Sequence, residues 1–219
     1  MTVQPKKLLA IYGASGCGRS VMPVAATMLL SEDRDRCELL FIDDGRRDPI
    51  VNGRRVVTYA EFLREPAGSR QICIAIADSK VRARLAARCE QDGIASFGVV
   101  ATNAVVMDEV EIGAGSILSP FVTIASNVRI GRCFHGNLYS YVEHDCVVGD
   151  FVTFAPGVKC NGNVHIGDFA YLGAGCVIKQ GRPGAPLVIG EGAIVGMGAV
   201  VTKDVPAGAT VVGNPARVS

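Results

Sequence analysis

Apolar residues along this chain keep two different rhythms. In the first hundred positions they come in short continuous runs: "KKLLAIY" (6–12), "CELLFIDD" (37–44) and "QICIAIAD" (71–78). Each has the length and composition of a strand buried on both faces. Between them the pattern turns helical, first from "GASGCGRS" to about Leu30 and later over "SKVRARLAARCEQDG", with Ser79 as N-cap and Gly93 as the stop. Strand–helix–strand order predicts a small, parallel α/β (Rossmann-like) domain.

After about residue 104 a hexad takes over. Steps of six from Ile112 reach Leu118, Ile124, Ile130, Gly136, Val142, Val148, Phe154, Cys160, Ile166, Leu172 and Ile178, and only Gly136 lacks a sizeable apolar side chain. Four places into each hexad beyond its first residue the chain is mostly small or β-branched, as at Val122, Val128, Ser140, Cys146 and Val158. A period of eighteen overlies this, in Ile112-Gly113, Ile130-Gly131, Val148-Gly149 and Ile166-Gly167. After "KQGRPGAPLV" the beat resumes five residues late, at Ile189 and Val195, so a loop is expected at 179–188. This periodicity predicts a parallel β-helix, with one aliphatic per face filling a three-sided prism and the small residues at its corners. The predicted division is an α/β domain over 1–103 and a β-helix over 104–219.

Composition narrows the function classes. With 22 basic against 21 acidic residues the net charge is +1, which lacks the basic footprint of a nucleic-acid binder. Eight cysteines are spread without a CxxC pair, so free thiols are expected rather than a disulfide or zinc framework. The N-terminal stretch lacks a signal-peptide cleavage pattern and no apolar run has membrane-spanning length, so a soluble, cytoplasmic protein is expected.

The candidate chemistry sits inside the hexads. In "YVEHDCVVGD" (141–150) the beat is kept by Val142, Cys146 and Val148, leaving His144 and Asp145 free. Eighteen residues on, His144 stacks beneath Gly162 and Asp145 beneath Asn163. Adjacent strands lie ~4.8 Å apart, so the Gly162 N–H comes within reach of whatever His144 acts on. A base beside a backbone donor is what acyl transfer needs, and a carboxylate can orient the imidazole. From the repeat alone, an outward solvent-facing histidine is an equal reading. His135 and His165 fall at the last place of their hexads and read as polar corner residues. The three histidines are separated by nine and twenty-one residues, so no short turn supplies two ligands and no metal site is expected.

In the first domain "YGASGCGRS" follows a strand and opens a helix, the context of a phosphate loop, although Gly13-x-x-Gly16-x-Gly18 is not the dinucleotide spacing. A plain strand-to-helix turn is the alternative. Asp43-Asp44 and Ala77-Asp78 end strands at the same predicted sheet edge, where ribose or base groups are often read.

The segments "GASGCG", "VEHDCVVGD", "GDFVTFAPGVKC" and "VVTKDVPAGATVVGNPAR" together resemble the bacterial hexapeptide-repeat sugar acetyltransferases: the N-acetyltransferases of bacillosamine, viosamine and perosamine pathways and the sialic acid O-acetyltransferases. The resemblance covers the whole chain and implies a left-handed coil, since chirality rules alone favour right-handed crossovers. It implies an acetyl-CoA-dependent transfer to an amine of a nucleotide-linked 4-amino-4,6-dideoxy sugar, with O-acetylation of a sialic acid or other sugar hydroxyl as the alternative. A non-catalytic, nucleotide-sugar-sensing solenoid is a rival of another class. His144 then matches the proposed base, with Asp145, Gly162 and Asn137 beside it. Gly13, Ser15, Gly16, Cys17, Asp43, Asp44, Ala77 and Asp78 match the nucleotide-sugar site, Cys17 standing where relatives often have histidine. Acetyl-CoA would be met by Gly173, Ala174, Gly196, Gly198, Lys203, Arg217 and Thr153, the last in place of a second histidine of some relatives. The resemblance further implies a homotrimer with sites between neighbouring β-helices, and no metal.

Overall fold

The computed structural model describes residues 6–29, 36–46 and 48–219. The chain divides into two compact units, Met1–Val99 and Val100–Ser219.

The first unit is a six-stranded sheet: β1 (Lys7–Tyr12), β2 (Cys37–Ile42), β3 (Ile50–Val51), β4 (Arg54–Val57), β5 (Ser69–Ile74) and β6 (Ala95–Ser96), in the order β3-β4-β2-β1-β5-β6. β1 lies at the centre, parallel to β2 on one side and β5 on the other, and is buried over Leu8–Tyr12. Its continuous apolar run is the pattern expected of a strand covered on both faces. Helices α1 (Gly16–Met28), α2 (Tyr59–Arg64) and α3 (Ser79–Gln91) make the connections; the far end of the predicted first helix, at Leu30, lies outside the described residues. α3 is capped by Asp78, whose Oδ1 accepts from the N–H groups of Lys80 and Val81 at 2.9 Å each, so the N-cap is one residue earlier than the expected Ser79. The antiparallel hairpin β3–β4 was not expected, although Asn52-Gly53, both at positive φ, is the turn such hairpins use.

The second unit is a β-helix with three parallel faces. Face A runs from Val99–Val100 through Ile117–Leu118, His135–Gly136, Thr153–Phe154, Tyr171–Leu172 and Ile194–Val195 to Thr210–Val212, and Arg217–Val218 adds to it antiparallel. Face B holds Val105–Val106, Thr123–Ile124, Tyr141–Val142, Lys159–Cys160, Val177–Ile178 and Val200–Val201. Face C holds Glu111–Ile112, Arg129–Ile130, Val147–Val148, Val164–Ile166 and Leu187–Ile189. Partners within a face lie eighteen residues apart, as in Tyr141↔Lys159, until the loop adds five; in the last coil they lie sixteen apart, as in Ile194↔Thr210. The first hexad place points inward: Leu118, Ile124, Val142, Val148, Phe154 and their successors form one buried column.

The single break in that column is compensated from its neighbour. Gly136 stands where an aliphatic is due, and Phe134, at a place otherwise small, sends its ring into the gap: a Cβ on Gly136 would sit 3.0 Å from Phe134 Cε1. Phe134 then packs edge-on against Phe154, with centroids 5.2 Å apart.

The corners differ from expectation. Each coil turns at the fourth hexad place, where Phe121, Asn127, Cys133, Tyr139, Asp145, Phe151, Asn163 and Phe169 all have φ between 57° and 64° or, for Cys133, 52°. The fifth-place residues expected at the corners instead point into the prism, as Cys146, Val152 and Val158 do. The left-handed backbone is strained for these side chains, and the coil-to-coil ladder offsets it: Asp145 N–H donates to Ser126 O, Phe151 N–H to Arg132 O, and Asn163 N–H to His144 O. With the turn at places three and four, the last place falls within a strand. His135 is therefore a buried strand residue and His165 an exposed one, neither a corner.

Candidate active site

His144 and Asp145 form the corner between faces B and C. The positive φ of Asp145 folds its carboxylate back on the preceding ring, and Oδ2 lies 2.7 Å from His144 Nδ1. An ionised carboxylate only accepts, so Nδ1 carries the proton and the lone pair is left on Nε2. The hydrogen bond to Asp145 raises the His144 pKa above the ordinary histidine value, against a smaller lowering by burial. The ring itself is half exposed.

One coil on, Gly162 is buried directly against that ring. A Cβ at Gly162 would lie 2.6 Å from His144 Cε1 and 2.7 Å from Nε2, so only glycine allows the imidazole this position. The Gly162 carbonyl accepts from Gly181 N–H at 3.0 Å, while the Gly162 N–H donates to no acceptor among the described residues. At the corner between faces C and A the same hexad place meets carboxylates: Arg132 N–H donates to Asp150 Oδ1 at 2.9 Å and Asp150 N–H to Asp168 Oδ1 at 2.8 Å. Beside His144 the corresponding donor is open to a substrate oxygen.

The loop after Ile178 leaves this same corner. Gly181 N–H and Leu187 N–H hold the carbonyls of Gly162 and Asn163, and Arg182 and Ala185 exchange backbone hydrogen bonds of 3.0 and 2.9 Å. Lys203, exposed, follows on the corner beyond it.

The remaining predicted residues of this unit lie elsewhere. Asn137 is on the corner between faces A and B: seven residues are one hexad plus one, which carries it a full corner back. Its Nδ2 donates to Phe154 O at 2.8 Å, a backbone-closing role. Gly173, Ala174, Gly196 and Gly198 share that A–B corner on successive coils, with Ala174 and Gly198 exposed and open space where a Gly198 side chain would stand. Thr153 lies within face A, paired with His135 and 3% exposed, so it offers no open hydroxyl to a cofactor. Arg217 is exposed on the antiparallel end strand. Among the described residues no three His, Cys, Asp or Glu side chains gather as a metal site.

In the first unit the loops after β1, β2 and β5 converge. Gly13 N–H donates to Ile42 O, and Ala14 N–H to Asp43 Oδ2 at 2.9 Å. A Cβ on Gly18 would fall 1.8 Å from the Gly13 carbonyl oxygen, which makes Gly18 obligatory for this strand-to-helix turn. Ser15 is the N-cap of α1 but makes no capping bond, and Ser15 and Gly16 are exposed. Burial pushes the Cys17 thiol pKa up, with a smaller opposing effect of Arg82, so Cys17 is a neutral thiol at the loop. The acids are already engaged: Asp43 also accepts from Gly45 N–H, Asp44 from Tyr12 Oη at 2.6 Å and Tyr59 N–H at 2.7 Å, and Asp78 caps α3. They shape the loops and meet a ligand only with lone pairs that remain. Two arginines were not anticipated. Arg46 Nη1 donates to Ala14 O at 3.1 Å while its buried Nε has no partner among the described residues. Arg82, fully buried, donates to the carbonyls of Ile76 and Ala77. A basic residue after "FIDDG" was the available signal for Arg46; Arg82 had none, because its helix position reads as surface.

Comparison with known proteins agrees with both units. The PglD N-terminal domain family matches residues 8–89. The GDP-perosamine N-acetyltransferase of Escherichia coli O157:H7 is 50% identical over 210 residues, covering 96% of this chain and 95% of that protein. Among solved structures, WeeI from Acinetobacter baumannii AYE superposes with a TM-score of 0.93 at 55% identity, over 98% of this chain and all of that one (100%). PerB from Caulobacter crescentus, in complex with CoA and GDP-perosamine, gives 0.83 at 26% identity over 96% of each chain. The coil thus has the left-handed sense of these acetyltransferases.

Proposed function

This chain belongs to the hexapeptide-repeat sugar acetyltransferases of the bacillosamine–viosamine–perosamine group, and from that premise we propose that it moves an acetyl group from acetyl-CoA to the C4 amine of a nucleotide-linked 4-amino-4,6-dideoxy sugar. The observation that carries the reading is the His144–Asp145 pair aimed at Gly162. The amine attacks the thioester carbonyl, and His144 Nε2 takes the proton released as the C–N bond forms. The Gly162 N–H donates to the oxygen that gains negative charge. As the C–S bond breaks, the protonated imidazole returns its proton to the leaving thiolate, so no covalent enzyme intermediate is needed. Cys146, fully buried inside the prism, does not share the exposed surface of the His144 ring.

The resemblance to a GDP-perosamine enzyme at 50% identity favours a GDP-linked acceptor and an amine over a hydroxyl. The nucleotide would meet the glycine loop of residues 13–18, where the open α1 N-terminus and Arg46 suit phosphate. The working site forms between neighbouring β-helices of a homotrimer. What supports this is the division of the expected residues: His144 and Gly162 occupy the B–C corner, whereas Ala174 and Gly198, both exposed, occupy the A–B corner, with Gly173 and Gly196 packed against the next coil. A second copy brings the two kinds of corner together. Lys203 and Arg217, both exposed, then suit CoA phosphates.

The test is thiol release from acetyl-CoA with GDP-, UDP- and dTDP-linked 4-amino sugars and free sialic acids, with wild type and His144→Ala in parallel. Turnover is expected with the GDP-linked amine and a loss of about 10²-fold or more in the variant. If no acceptor releases CoA the function is wrong; if His144→Ala works at the wild-type rate, the mechanism is wrong and the function stands.

A further inference from the structure

The fifth-place column beside the His144 corner reads Val110, Val128, Cys146, Val164. Beyond the loop it continues as Leu187, so it is aliphatic on every coil but the one that carries His144, and Val128, Cys146 and Val164 are fully buried. Packing alone therefore does not call for sulfur at 146. The hydrogen bonds do. Cys146 Sγ lies 3.3 Å from Asn161 O, to which its S–H donates, and accepts the Val164 N–H at 3.5 Å. Those two groups flank Gly162-Asn163 on either side. The same sulfur belongs to the residue two beyond His144 and lies 3.7 Å from the His144 carbonyl. Ser116 sits between the equivalent groups on another corner: its hydroxyl accepts Phe134 N–H at 3.2 Å and lies 3.4 Å from Gly131 O, though its shorter bond, 2.7 Å, goes to Gly113 O of its own coil. A valine can make neither bond.

We propose that Cys146 is a positioning residue of the acyl-transfer site, its thiol tying the coil that bears the base to the coil that bears the oxyanion donor and so fixing the height of His144 Nε2 over the Gly162 peptide. This rests on the roles given above to His144 and Gly162. Thiol hydrogen bonds are individually weak, so the effect is on geometry more than on stability, and acyl transfer is sensitive to displacements well below 1 Å.

The test compares Cys146→Val, Cys146→Ser and His144→Ala in the full-length enzyme, reading kcat, both KM values, the pH profile and Tm. Cys146→Val restores the column's own residue, so Tm should hold while kcat falls roughly tenfold, with both KM values and the acid limb unchanged. Cys146→Ser, which can make both bonds, should recover at least about half of the wild-type kcat. Wild-type kcat in Cys146→Val overturns the proposal. So does an equal loss in both variants accompanied by a fall in Tm, which would mark a packing role. Should the valine variant fail to fold, Cys146→Ala carries the same kcat comparison against serine. Turnover surviving in His144→Ala would sink the underlying site reading instead, an outcome separate from either result at Cys146.

Discussion

Gly162→Ala probes the central contact of the site. The added methyl would lie 2.6, 2.7 and 3.1 Å from His144 Cε1, Nε2 and Cδ2. Ordinary carbon contacts lie at about 3.5–4.0 Å, so the ring has to retreat by about 1 Å. It is free to do so, being half exposed, and the backbone at Gly162 is outside the left-handed region, so alanine brings no strain of its own. Stability should change by less than about 1 kcal/mol. A displacement of this size at a general base corresponds to about 10²-fold in kcat, or ~2.7 kcal/mol of transition-state stabilisation. A continuous thiol-release assay on purified wild type and variant, with Tm measured alongside, reads both quantities. Near-wild-type kcat in a folded Gly162→Ala protein would mean that the working imidazole does not lie over Gly162, and the donor assignment would fall with it.

Asp145→Asn removes the carboxylate that holds the His144 pKa up, so the acid limb of the kcat/KM profile should move to lower pH and the plateau should drop. The same link fixes the sign for stability: the pair favours the folded protein fully below the unfolded histidine value of about 6.5, and that contribution fades as pH rises through the raised folded value. Denaturation of Asp145→Asn and wild type should therefore differ on the acid side and converge in base. Phe134→Ala opens the space that Gly136 leaves unfilled, and urea titration should show a loss of about 3–5 kcal/mol.

The β-helix was legible because an inward place recurring every six residues has to be apolar in every coil, and the stacking of His144 on Gly162 followed from arithmetic on the eighteen-residue coil. The turn apex was not legible. Its strain is offset by hydrogen bonds between coils rather than by residue type, so Phe, Tyr, Cys and Asp all occupy it. That same shift of the turn moved His135 from an expected corner into a buried strand. The resemblance groups Asn137 and Thr153 with His144, yet offsets of seven and nine residues carry the first to the A–B corner and the second into face A. In the first unit Asp43, Asp44 and Asp78, expected at a nucleotide site, also hold the loops themselves. A short polar side chain near a glycine turn fits either role by composition alone.

The loop raised between Ile178 and Leu187 gives the β-helix something like a reading frame. The coil that follows it departs from eighteen as well, yet Val195 still pairs with Val211 and both stay buried. Five residues added at this corner leave Leu172 paired with Val195 and Ile178 with Val201 as though nothing had intervened. The chain can therefore be lengthened or rewritten beside the Gly162 carbonyl while the rest of the prism stays in frame, so the surroundings of the His144 corner can diverge without the fold being renegotiated.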